Sequence, residues 1–290
     1  MSAEMQSLTV LCISGCSKLS SFPKFTGIMK SLLELNLCGT AIKKVEPSSI
    51  KCLTALTLLD LSHCKYLECL PSNMDNLRSL ETLNLWGCDR LVEIHPSIGQ
   101  LSKLRYLHLE FCYSLTDLPS MSANMQSLTV LCLSGCSKLS SFPKFTGIMK
   151  SLSELNLRGT AIKKVESSSI ECLTALTLLD LSSCKYLECL PSNMDNLRSL
   201  EALNLWGCKK LKSLPTRLPS TIRYIKVKHC SSLKWKQKGV KLSIWPQILS
   251  QWFPYDERYN RVEFKILFHF LQVITSLSLS LSLSLSLSHS

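Results

Sequence analysis

A six-residue pattern, Leu-x-x-Leu-x-Leu, returns along this chain every 24 residues. A tenth unit starts two residues early at Ile222, with Ile225 and Val227 in its later apolar places. A fixed period of this length indicates a repeat architecture in which each unit stacks on the next. In the nine regular units the first leucine is Leu8, Leu32, Leu56, Leu80, Leu104, Leu128, Leu152, Leu176 or Leu200.

A single unit is too small to fold alone. Ordering the backbone of 24 residues costs roughly 24 to 48 kcal/mol, whereas burying its apolar side chains returns roughly 10 to 20 kcal/mol. We therefore expect an α/β-type solenoid in which one short strand from each unit joins a single parallel sheet. Proline-containing segments such as CKYLECLP predict an opposite side that is mostly irregular, with little helix, and the two GTAIKKV units predict a different turn there.

Cysteine occupies one fixed place in most units. Counting the first leucine as place one, place nine is threonine at Thr40 and Thr160 and cysteine elsewhere. We expect this place to turn into the core, where a small thiol or hydroxyl packs and donates a weak hydrogen bond to a neighbouring turn. The rung cysteines, as we call them, are Cys16, Cys64, Cys88, Cys112, Cys136, Cys184, Cys208 and Cys230.

A longer repeat contains the short one. Residues 1–88 return as 121–208 with eight differences, as expected if five whole units were duplicated together. We expect the array to cover 1–234, a basic and aromatic extension of uncertain order to cover 235–274, and a low-complexity Ser-Leu tail to cover 275–290. The tail has the form that a translated dinucleotide tract would encode.

A family resemblance rests on four phrases of the sequence. They are LCLSGCSKLSSFP, LNLRGTAIKKV, LPSNMDNLRSLEALNLWGCKKLKSLP and LPSTIRYIKVKHCSSLK. The chain resembles the leucine-rich repeat region of plant intracellular disease-resistance receptors of the TIR, nucleotide-binding, leucine-rich repeat class. The resemblance implies a leucine-rich repeat horseshoe that recognises a pathogen effector or a guarded host protein. No phosphate loop of the form G-x-x-x-x-G-K-[ST] occurs, so we expect no nucleotide switch in this fragment.

The sheet should present places three, five and seven on its concave face, because side chains alternate along a strand. On this face we expect a protein-recognition patch of Trp86, Tyr106, His108 and Glu110, with Asp60 and Asn84 beside them. The alternative is that the exposed tryptophans only cover the edge of the sheet. In the second half of the array the corresponding candidates are Arg158, Asp180, Asn204 and Trp206.

Other function classes find less support. The six histidines show no catalytic or metal-ligand spacing, and no C-x-x-C pair occurs, so we expect no enzyme activity, cofactor, metal site or small-molecule substrate. Eleven of the twelve surplus positive charges lie between Glu201 and Asp256, which leaves nucleic-acid binding as a weaker alternative. Membrane association is not expected.

The N-terminal residues lack a secretory signal, which predicts a cytoplasmic chain with free thiols and leaves the nucleus as the other compartment. The leading functional hypothesis is a protein-binding module of an immune receptor. The alternatives are an adaptor or decoy that acts with a full-length receptor, and a truncated remnant without function.

Overall fold

A computed structural model describes residues 7–234. Ten strands of three residues each form one parallel sheet, in the same order as the repeat units. The predicted parallel solenoid with little helix is confirmed. The strands of this sheet are β1 (Val10–Cys12), β2 (Glu34–Asn36), β3 (Leu58–Asp60), β4 (Thr82–Asn84), β5 (Tyr106–His108), β7 (Val130–Cys132), β9 (Glu154–Asn156), β10 (Leu178–Asp180), β11 (Ala202–Asn204) and β12 (Tyr224–Lys226).

Residues that pair across the sheet occupy the same place in successive units. Leu35, for example, faces Leu59 on the next strand, and the shortened last unit pairs Ala202 with Tyr224. Each strand therefore covers places three to five. The leucine at place four points inward, while places three and five lie on the opposite face, which we call the open face of the sheet.

The side of the units opposite the sheet is built from short irregular segments. The two four-residue helices, α1 (Pro47–Ile50) and α2 (Ser167–Ile170), both follow a GTAIKKV unit. The different turn expected in these two units is therefore a helical one. Two 3₁₀ helices, Met74–Asn76 and Pro96–Gln100, and a two-stranded parallel sheet of β6 (Met121–Ser122) and β8 (Phe145–Thr146) complete the regular structure of the described residues.

The core is a continuous column of leucines. In the second unit, Leu32, Leu35 and Leu37 at places one, four and six have no exposed surface, and full burial of such a side chain contributes roughly 1.5 to 3 kcal/mol. Leu8 and Leu11 of the first unit are only partly buried, because β1 has a neighbouring strand on one side of the sheet only.

The rung cysteines turn into the core and bond to the preceding unit. Cys64 Sγ donates to the carbonyl of Leu37 at 3.3 Å, and Cys88 Sγ donates to that of Leu61 at 3.2 Å. The same thiol-to-carbonyl bond, always to place six of the preceding unit, is made by Cys112, Cys136, Cys184, Cys208 and Cys230. The hydrogen bond predicted from sequence is therefore present.

Cys16 differs from the other rung cysteines, since it is exposed. It belongs to the first unit of the described sheet, where no earlier place-six carbonyl is available. The expectation that every rung cysteine is buried is wrong at this position, because no preceding unit covers Cys16 within residues 7–234.

Two other expectations concern the chain's extent. The boundary predicted at residue 234 stays a prediction, because both the extension 235–274 and the tail 275–290 lie outside the described residues. Between residues 7 and 234, none of the helices has the length and hydropathy that a membrane span requires.

Candidate protein-recognition face

The open face carries the residues that the sequence singled out. Asp60, Asn84 and His108 are register partners on the neighbouring strands β3, β4 and β5. Tyr106 and Glu110 lie two residues before and after His108, so this part of the patch is contiguous. The remaining candidates, Arg158, Asp180, Asn204 and Trp206, belong to the units of β9, β10 and β11.

The acidic and amide candidates at place five have a structural task. Asn84 Oδ1 accepts a hydrogen bond from the backbone N–H of Trp86 at 3.1 Å, and Asp60 Oδ1 accepts one from that of Ser62 at 2.8 Å. Asp180 and Asn204 make the same bond. These four side chains are at most 5% exposed. They hold the chain as it leaves each strand, a role that the Asx motif at place five could have revealed.

Burial also changes the acidity of the two aspartates. Desolvation raises the pKa of Asp60 and of Asp180, because the charged carboxylate loses water. Hydrogen bonds from Ser62 and Ser182 act in the opposite direction without cancelling this effect. The positive charge of Arg158, at place seven, also lowers the pKa of Asp180, but by less than these hydrogen bonds do.

Trp86 lies in a cluster of rings at the edge of the open face. Its indole meets His63 edge-on with ring centroids 4.0 Å apart, and Phe111 in the same manner at 6.1 Å. Tyr113 continues the row, 6.1 Å from Phe111. We call His63, Trp86, Phe111 and Tyr113 the aromatic ridge. The expectation of an exposed indole is wrong: Trp86 is half-buried, because the neighbouring units supply rings on both sides.

Two residues of the ridge adopt an unusual backbone conformation. Place eight turns the chain with a positive φ and is glycine in most units, but His63 and Phe111 hold φ of 55° and 57° there. Such a conformation costs a non-glycine residue on the order of 1 to 3 kcal/mol. Strain of this kind concentrates at functional sites. The sequence already indicated this difference. The residue before the rung cysteine is histidine in SHC and phenylalanine in EFC, whereas it is glycine in SGC and WGC.

A second, smaller aromatic pair forms further along the array. Trp206 packs edge-on against His229, with ring centroids 5.6 Å apart, and His229 has φ of 64°. In this half Ser183 replaces His63. The two tryptophans therefore belong to separate clusters.

His108 connects the patch to the next strand. Its ring stacks parallel to that of Tyr106 with centroids 6.5 Å apart, and its Nδ1 lies 3.3 Å from Glu110 Oε1. Burial acts to lower the pKa of His108, but the carboxylates of Glu110, Glu154 and Asp60 together outweigh it, so the pKa is raised. Cys132, the register partner of His108, is 7% exposed, and burial first, then Glu110, raises the pKa of its thiol well above the ordinary value. Such a thiol is not an activated nucleophile.

Comparison with known proteins agrees with this architecture. A family model described as a leucine-rich repeat region matches residues 4–156, which is more than half of the 290 residues. No curated protein matches the chain.

Two solved structures illustrate the similarity. The leucine-rich repeat domain of the type III effector XopL is 26% identical with a TM-score of 0.66, and the match covers 78% of this chain and 79% of that one. The functional domain of InlJ from Listeria monocytogenes, which includes a cysteine ladder, is 17% identical with a TM-score of 0.51, and its match covers 79% and 46%. The InlJ similarity concerns the fold alone.

Two independent observations thus agree: the buried leucines recur with the strand register, and the family model covers most of the same units. This chain therefore belongs to the leucine-rich repeat family.

Proposed function

We propose that this chain is the protein-recognition region of an intracellular plant immune receptor, and that it binds its partner through the open face of the sheet. The partner is a pathogen effector, a guarded host protein or a full-length receptor of the same class. Leucine-rich repeat arrays typically act as binding modules without catalysis, and the resemblance of four phrases to plant receptors supports the narrower assignment. The free thiols of the array suit the reducing cytoplasm or nucleus.

The aromatic ridge is the observation that carries the proposal. Large half-buried rings supply contact area with little loss of side-chain entropy on binding, and aromatic residues are enriched among the anchors of protein interfaces. His63 and Phe111 occupy a place where glycine would relieve strain. We infer that these rings are retained for recognition.

The candidates divide into two groups by exposure. Trp86, Tyr106, His108, Arg158 and Trp206 are half-buried and provide the surface that a partner would contact. Asp60, Asn84, Asp180, Asn204 and Glu110 are buried. They act indirectly: the place-five side chains hold the backbone by hydrogen bonds, and the carboxyl groups determine the charge of the open face.

Site-specific photocrosslinking tests the location of the binding face. A photoreactive phenylalanine analogue replaces Tyr106 on the open face, or Ile148, which is 55% exposed and follows β8 outside the ten-stranded sheet. Both chains are expressed in plant leaves with the pathogen present. We expect a discrete protein adduct from position 106 and none from position 148, with the partner identified by mass spectrometry. An adduct from position 148 alone would contradict the proposal.

A further inference from the structure

Three potential metal ligands converge on the open face where β5 meets β7. His108 and Glu110 project on the same side, because they are two residues apart. Cys132 reaches them from the neighbouring strand as the register partner of His108. One ligand atom of each residue lies within 4.8 Å of the other two, and His108 Nδ1 lies 3.3 Å from Glu110 Oε1.

One atom of this cluster is left without a partner. Glu110 is only 9% exposed, and no hydrogen bond of standard geometry reaches its buried Oε2 from the described residues, although the Cys132 thiol lies close enough to Glu110 to interact with it. An unsatisfied buried acceptor destabilises the folded state, and more so when it is charged. A cation at the centre of the cluster would remove this destabilisation.

The donor set selects the kind of cation. An imidazole nitrogen, a carboxylate oxygen and a thiolate sulfur together suit Zn²⁺, whereas Ca²⁺ and Mg²⁺ prefer oxygen ligands throughout. A carboxylate and a thiolate also balance the two positive charges. We propose that His108, Glu110 and Cys132 bind one zinc ion.

The geometry needs little adjustment. Ligand atoms on a tetrahedral zinc are separated by about 3.4 Å, given metal–ligand distances of about 2.0 to 2.3 Å. The ligand atoms, which lie within 4.8 Å of one another, therefore have to move closer by at most about 1.4 Å. Three protein ligands leave a fourth position, which faces the open side of the sheet and accepts water or a side chain from a bound protein. The zinc site does not depend on the proposed receptor function.

Sequence spacing alone could not reveal this site. Metal motifs read along a chain rely on closely spaced pairs, such as C-x-x-C. Here Cys132 is separated from His108 by 24 residues, and the parallel register brings the two together.

The internal duplication supplies a matched control. Cys12 is the counterpart of Cys132 in the first copy of the repeated segment. It also lies at place five, but its strand β1 pairs only with β2, so within the described residues no unit with a histidine and a glutamate precedes it. Cys12→Ser should leave zinc binding unchanged.

Metal titration tests the proposal. The full chain, reduced with a phosphine and stripped by a chelator, is titrated with Zn²⁺ in competition with a chromophoric chelator, and separately with Co²⁺. We expect one zinc per chain and a thiolate-to-cobalt charge-transfer band. Cys132→Ser should abolish the band, and both Cys132→Ser and Glu110→Gln should weaken zinc binding by on the order of 100-fold or more, because removing even a residue that only orients a metal ligand costs about 10-fold to 100-fold.

Several results would overturn the proposal. The wild-type chain could bind no zinc at unit stoichiometry, Cys132→Ser could retain the cobalt band, or Cys12→Ser could lose binding equally. Circular dichroism of each variant identifies unfolding. If Cys132→Ser does not fold, Glu110→Gln carries the test, and unchanged zinc affinity in that folded variant would contradict the site.

Discussion

The phenyl ring of Phe111 covers Gly135, the residue at the same place in the next unit. A methyl group built on Gly135 would lie 2.5 Å from Cδ1 of Phe111. His63 covers Gly87 in the same way, with Nδ1 2.9 Å from such a methyl group. A ring at place eight is thus accommodated because the following unit has no side chain there.

This contact predicts that Gly135→Ala is more destabilising than Gly159→Ala. Both glycines have a positive φ, 80° and 70°, so alanine at either position costs about 1 to 2 kcal/mol. Only Gly135 adds a clash, since the nearest atoms to a methyl group on Gly159 are 3.8 Å away. The clash should add about 1 to 3 kcal/mol. Urea denaturation of the two variants measures the difference.

A double variant tests whether the contact with the Phe111 ring causes the extra loss of stability. Phe111→Gly removes the ring, so adding Gly135→Ala to that background should cost no more than Gly159→Ala does in the wild-type chain. An equal cost of Gly135→Ala with and without Phe111 would show that the ring contact is not responsible.

The buried carboxyl of Asp60 predicts a pH dependence of stability. Its pKa is raised in the folded chain, mainly by burial, so the folded state retains the proton at pH values where the unfolded state has lost it. The contribution to stability is therefore complete below the ordinary carboxyl pKa, about 3.9, and declines as the pH rises through the folded value. Asp60→Asn keeps the acceptor for Ser62 and should reduce this decline, so that the variant is more stable than wild type at pH 7.

The opposite substitution on the next strand provides the matched comparison. Asn84→Asp places a second carboxyl beside Asp60, its register partner, at a position that is 2% exposed. Thermal melts between pH 4 and pH 7 should show a steeper loss of stability in this variant. Parallel melting profiles for the wild type and both variants would refute the assignment.

The aromatic ridge predicts a localised effect on partner binding. Trp86→Ala removes the ring between His63 and Phe111, and it should lower the affinity for the protein crosslinked at position 106 at least tenfold, or about 1.4 kcal/mol. Isothermal titration calorimetry measures this affinity. Ile148→Ala, an exposed apolar residue outside the ten-stranded sheet, is the control. Equal affinities for the two variants would remove the ridge from the binding face.

The fold could be predicted from the sequence because the residues that determine it recur at a fixed period. The leucines at places one, four and six repeat with the strand register, so a period read along the chain translates directly into neighbours in the sheet. The inward turn of the rung cysteines followed from the same reasoning. The exposure of Cys16 did not, because it depends on whether a preceding unit covers the residue.

The candidate site was harder to predict from the sequence, because its properties depend on contacts between neighbouring units. Asp60 and Asn84 occupy predicted places on the open face, but their burial and their hydrogen bonds to the backbone depend on the exact turn after each strand. Trp86 is half-buried only because His63 and Phe111 come from the units on either side. The convergence of His108, Glu110 and Cys132 likewise requires two strands in register.

Thiol accessibility tests the stacked architecture most directly. Brief alkylation of the native, reduced chain followed by peptide mass spectrometry should label the exposed Cys12, Cys16 and Cys189. Burial raises the thiol pKa of Cys64, Cys88 and Cys208, and that of Cys184 to about 12. The fully buried rung cysteines should react only after denaturation, because the leucine column excludes the reagent. They are Cys64, Cys88, Cys112, Cys136, Cys184 and Cys208. Labelling of these six at the rate of Cys16 in the native chain would contradict the stacked solenoid.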